Sequence, residues 1–167
     1  MIIIGIDPGL AHTGWGVIRH EQDGFKAIAY GVIDTSARQD LPTRLATIHE
    51  GIREVIERYD VGYGALEDVF AGTNVRTAFL LGQARGCALL ACARLSGAIG
   101  EYAPNTIKQH IVGYGLADKE QVAYMVGMLL GLDHVPTPDH CSDALAIALT
   151  HGFALLRHAQ AELGRVS

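Results

Sequence analysis

The sequence predicts an α/β layer fold in which three antiparallel strands are followed by alternating helices and strands. Three observations predict it. The chain opens on a short, continuous apolar run that stops at a carboxylate; two alternating apolar segments follow with a turn between them; and from residue 41 onward the apolar period lengthens to that of helices. A length of 167 residues suits one domain with a real core, and a composition 49% hydrophobic and 19% charged is that of an ordinary globular enzyme. The expectation is a single domain over residues 1–160 and a short tail over 161–167.

Each element has a local reason. "MIIIGID" reads as a central strand buried on both faces, and Asp7-Pro8-Gly9 turns the chain. "GWGVIRH" and "FKAIAYGVID" read as two further strands joined by a hairpin turn at Glu21 to Gly24. A helix is expected over 41–59, with Pro42 in the tolerant first turn and Leu45, Ile48, Ile52, Val55 and Ile56 on one face. "GALEDVF" is a fourth strand ending in acid, at Glu67 and Asp68. "NVRTAFLLGQARGCALLACARL" predicts a long helix whose Gly82 and Gly86 would admit the close approach of another helix. "AIGEYA" predicts the fifth strand, followed by a helix begun by Pro104, a "GYG" loop at 113–115, a helix near 119–130 and a last helix from about Asp139 to His158.

Bulk properties narrow the function. No apolar run is long enough to span a membrane, and the chain opens without a basic region and cleavage site, so no membrane partner is expected and a cytoplasmic location is. Cys87, Cys92 and Cys141 form no C-x-x-C pair and read as reduced, buried thiols. The net charge of −5 argues against an indiscriminate nucleic-acid binder, but the charge is uneven. Residues 71–120 hold 5 Lys or Arg against 3 Asp or Glu, whereas residues 1–70 hold 6 against 11. A phosphate-binding face therefore belongs to the middle of the chain.

Candidate chemistry falls at three comparable places. Asp7 ends the first strand, Glu67 ends the fourth, and Asp139, His140 and Asp143 crowd the start of the last helix. In α/β sheets, strand ends and helix starts are where functional groups collect. Read singly, each has a plainer role: a turn residue at Asp7, an exposed strand end at Glu67, and capping by Asp139 or Ser142 at the helix. Read together, they describe an acidic pocket that would repel itself without a cation, and hard oxygen donors suit magnesium or manganese.

"IIIGIDPGLAHTGWGVI", "ALEDVF", "LGQARG", "KQHIVGYGLADKEQV" and "SDALAIALTH", in this order and spacing from residue 2 to about 151, closely resemble the RuvC crossover junction endodeoxyribonucleases. The resemblance implies a ribonuclease H-like fold, a mixed five-stranded sheet flanked by helices. It implies a homodimer that makes paired, magnesium-dependent nicks at four-way (Holliday) DNA junctions in recombination and repair, beside the RuvA and RuvB branch-migration proteins. Two Mg²⁺ ions per site are implied, with Mn²⁺ able to substitute, and products carrying 5′-phosphates. The family's catalytic acids fall on Asp7, Glu67 and Asp143, and its fourth position, often Asp, is His140 here. An imidazole can ligate a divalent ion or act as a general base, and both roles stay open. Lys108 and Lys119 match the family's basic DNA contacts; Arg76 and Arg85 are further phosphate candidates, and Phe70 resembles an aromatic that stacks on unpaired bases. The alternatives are an ATP-binding phosphotransferase of related fold, which a one-lobed chain opposes, and a junction-binding protein of weak catalysis.

Overall fold

The computed structural model describes residues 1–68 and 75–164. Its elements run β1 (Ile2–Asp7), β2 (His12–Glu21), β3 (Gly24–Asp34), α1 (Leu41–Arg58), β4 (Tyr63–Glu67), α2 (Val75–Cys92), β5 (Ile99–Tyr102), α3 (Pro104–Val112), α4 (Lys119–Leu130) and α5 (Asp139–Leu163). The five strands form one sheet in the order β3-β2-β1-β4-β5. β1, β2 and β3 pair antiparallel, whereas β1–β4 and β4–β5 are parallel. This is the mixed sheet that the sequence predicts.

β1 is central because both its faces are apolar. Successive side chains on a strand point to opposite faces. Ile4 and Ile6 accordingly join a core with Ile48, Ile52 and Val55 of α1 and Ala84 and Ala88 of α2. Ile3 joins the opposite core with Leu145, Ile147 and Leu149 of α5, Ile107 of α3 and Val126 of α4. The molecule thus has three layers: α1 and α2, the sheet, then α5 with α3 and α4.

Local signals set the helix ends. The Asp40 side chain accepts from the Thr43 N–H at 3.1 Å and caps α1. Asp118 and Gln121 form a reciprocal capping box at α4. α3 stops at Gly113, whose φ of 93° lies in the left-handed region that favours glycine. The last helix runs to Leu163 rather than ending near His158. Ala159 to Leu163 lack an apolar stripe but are good helix formers, so the helix continues past its packed part until Gly164.

α5 sits unusually close to the sheet. A Cβ on Gly5 would fall 2.0 Å from the Ala144 carbonyl oxygen, one on Gly14 2.2 Å from that of His140, and one on Gly16 2.7 Å from Leu145 Cδ2. These glycines pair across β1 and β2, where Gly5 faces Gly16 and Asp7 faces Gly14. Gly5→Ala, which forces a methyl onto α5 backbone, is expected to lower stability by about 2 kcal/mol or more. The shift in the urea unfolding midpoint measures it, and an unchanged midpoint would show that α5 can retreat freely.

Candidate active site

The same alternation that sorts the core places the acids. On β1, Gly5 and Asp7 follow Ile3 onto the α5 side; on β4, Glu67 follows Ala65 onto it. Parallel pairing sets Gly5 against Ala65 and Ile6 against Leu66, so the next residues, Asp7 and Glu67, end neighbouring strands at the same edge. The start of α5 crosses that edge. Asp7, Glu67, His140 and Asp143 consequently line one pocket of about 360 Å³, together with Lys108 of α3 and Lys119 of α4. Pro104, Ile107, Val122 and Ile147 supply its apolar wall.

Two direct contacts organise the pocket. The His140 Nδ1 donates to Asp7 Oδ2 at 2.7 Å, and Lys119 Nζ donates to Asp143 Oδ2 at 3.2 Å. Burial raises the Asp7 carboxyl above its usual range, opposed by the hydrogen bond from His140 and reinforced by the charge of Asp143. Glu67 is pushed up to about 7, first by burial and then by Asp7 and Asp143. Lys119 is held above its ordinary value, chiefly by Asp143. The charge of Asp143 thus works against ionisation of both Asp7 and Glu67, and that of Asp7 against ionisation of Glu67.

The donor chemistry fits a divalent cation: several carboxylates and one imidazole, in mutual repulsion that a cation relieves. Among the described residues, no three His, Cys, Asp or Glu side chains stand as a group able to hold a metal ion without adjustment. Holding an ion in common requires the carboxylate side chains to turn toward one another. Helix capping does not explain the cluster, because Pro138 occupies the N-cap position of α5 with no side-chain cap and the Ser142 hydroxyl donates to the Asp139 carbonyl instead. Asp139 stands outside this pocket.

The expected phosphate contacts divide. Lys108 and Lys119 lie on the pocket wall, and Arg76 is exposed in the first turn of α2. Arg85 is turned inward, its side chain 18% exposed. It pairs with Glu101, lies 3.7 Å from Asp68, and donates from Nε to the Glu67 carbonyl at 3.3 Å. Its place is therefore a brace between α2 and the β4–β5 edge. Phe70 lies outside the described residues. One neighbour escaped the sequence reading: the His12 ring stacks on that of His140. No spacing announces it, since 128 positions separate the two residues.

Comparison with known proteins agrees with this picture. The family model described as crossover junction endodeoxyribonuclease RuvC matches residues 3–151. The crossover junction endodeoxyribonuclease RuvC of Alkaliphilus oremlandii is 48% identical over 90% of this chain and 92% of its own length. The solved Thermus thermophilus RuvC superposes with a TM-score of 0.87 at 36% identity, covering 95% of this chain and 97% of that one. The T. thermophilus RuvC in complex with Holliday junction substrate gives 0.85 at 34%, covering 94% and 96%.

The pH dependence of stability tests the electrostatics. An unfolded Glu titrates near 4.5, whereas folded Glu67 titrates near 7, so the folded state retains this proton more tightly. The stability contributed by the protonated group is complete below about 4.5 and lost as pH rises through about 7. Chelator-treated Glu67→Gln should therefore melt higher than wild type at pH 8, by a margin that shrinks at pH 5. A margin that stays constant would remove Glu67 from the repelling cluster.

Proposed function

This chain belongs to the crossover junction endodeoxyribonuclease RuvC family, and from that premise we propose that it resolves four-way DNA junctions at the pocket of Asp7, Glu67, His140 and Asp143. The observation that carries the assignment is the convergence of these residues, from two strand ends and a helix start, in one pocket walled by two lysines. The chain is a junction-cutting endonuclease of recombination and repair, and nucleases of this family are metal-dependent.

Asp7, Glu67, His140 and Asp143 would hold the metal, two Mg²⁺ per site with Mn²⁺ able to substitute, and the imidazole favours the transition-type ion. Bound there, divalent cations supply charge that acidifies a water and stabilises the departing 3′ oxygen. The chain's own groups do the rest. Asp7 is the most sheltered acid and the natural anchor, on a central strand and in the grip of His140. Glu67, at the strand end beside Asp7, would hold a second ion or orient the attacking water, leaving a 5′-phosphate on the product. His140 has Nδ1 engaged by Asp7 and Nε2 free; the ligand role is favoured over that of a general base because this position is often a carboxylate in the family. Lys108, Lys119 and Arg76 are proposed to bind strand phosphates and Phe70 to stack on a base; the lysines beside the acids keep the strand over them.

Paired nicks need two sites, and a homodimer supplies them. The face proposed for it is on α2, where Val75, Phe79 and Leu90 are exposed and Gly82 and Gly86 open onto free space. A catalytic domain over residues 1–160, a cytoplasmic location and action beside RuvA and RuvB complete the proposal. Among the described residues, no helix is long and apolar enough to cross a membrane.

A synthetic four-way junction given to wild type and to Asp7→Asn, with Mg²⁺ or Mn²⁺, tests the assignment. Wild type should make paired nicks. The variant should bind the junction but cut it more than about a hundredfold slower, since even outer-shell partners of a metal ligand are worth 10–100-fold. Comparable cutting by both would remove Asp7 from the chemistry.

A further inference from the structure

His140 lines both the acidic pocket and a second one. Beyond it lies a second groove of about 500 Å³, bordered by His12, Asp34, Tyr30 and Pro138. The His140 side chain is 40% exposed, so burial alone does not fix its ring. One edge is held by Asp7. One face is covered by His12, with ring centroids 5.7 Å apart and planes 28° from parallel. His12 is held in turn: its Nδ1 donates to Asp34 Oδ1 at 2.7 Å, across the paired ends of β2 and β3.

The root of His12 is also tied down. The Thr35 N–H donates to the Ala11 carbonyl at 2.9 Å, and the Arg44 guanidinium donates to the Leu10 carbonyl at 3.1 Å and to Thr35 Oγ1 at 2.8 Å. Thr35, just past β3, and Arg44 of α1 thereby clamp the loop that runs from Asp7 to His12. On the other side, Gly14 lets the His140 backbone lie directly on β2. Asp34, His12, His140 and Asp7 form a line with a carboxylate at each end and stacked rings between.

We propose that His12, anchored by Asp34, is a positioning residue that fixes the ring plane of His140 beside the acidic pocket. The proposal rests on the reading of His140 as a metal ligand. An imidazole nitrogen ligates only along its lone pair, in the ring plane, so a swivelling ring presents that pair in the wrong direction most of the time. Functional constellations need their groups held within about 0.5 Å and 10–20°, and groups behind a ligand supply that. His12 acts through its flat face, with no contact of its own to the metal or the scissile phosphate.

The face-stacking role makes a distinctive substitution pattern. Mn²⁺ binding to the full-length protein, followed by the electron paramagnetic resonance of free Mn²⁺, is measured for wild type, His12→Ala, His12→Phe and Asp7→Asn, alongside kcat and KM on a four-way junction. His12→Ala should raise the Mn²⁺ Kd about tenfold and lower kcat with junction KM unchanged. His12→Phe, which keeps a flat ring, should recover most of the Mn²⁺ affinity. A His12→Ala affinity equal to wild type overturns the proposal, as does a His12→Phe defect as large as that of His12→Ala. If wild type and Asp7→Asn take up Mn²⁺ alike, the metal reading itself falls and this inference falls with it. Because His12 is exposed on the rim, its variants should fold, and matching melting curves verify that.

Discussion

The site depends on how closely α5 lies against β1 and β2. Side chains at Gly5, Gly14 or Gly16 would collide with Ala144, His140 or Leu145, so glycine at these places sets the spacing between helix and sheet. That spacing decides whether His140 and Asp143, at the start of the helix, reach Asp7, at the end of the strand. A packed interior transmits such displacements rather than absorbing them. The geometry of the pocket is thus set by backbone packing at His140 itself and beside Asp7 and Asp143.

The second constraint is electrostatic. Burial raises Asp7 and Glu67, Asp143 raises both and Asp7 raises Glu67, so the pocket works against the folded state until a counter-charge arrives. Two internal devices moderate this: His140 on Asp7 and Lys119 on Asp143. Anything that binds the folded form alone adds to its stability, and a divalent cation held in this pocket would do so while displacing protons from raised carboxyls. The electrostatics of this pocket oppose stability, and the well-packed cores on either side of the sheet carry the difference.

Much of this was legible in the sequence, and the exceptions have physical causes. The apolar run before Asp7, the stripe along α1 and the GYG loop that follows α3 are short-range signals that a chain displays directly. Asp7 and Glu67 were recognisable as strand-end acids. Arg85 was not recognisable as a brace, because its partners Asp68 and Glu101 meet it only once β4, β5 and α2 have packed. The same holds for His12, which reads as the polar lead-in to a strand until α5 brings His140 over it. The end of α5 was misplaced because packing periodicity fades before helix propensity does.

The account stands or falls on a shared cation site among residues from three distant segments. Anomalous scattering from a crystal soaked in Mn²⁺ addresses it most directly. The account predicts an ion touching a carboxylate oxygen of Asp7 and one of Glu67 or Asp143, with the His140 imidazole beside it. Well-ordered Mn²⁺ bound elsewhere, with none in contact with Asp7, would contradict it.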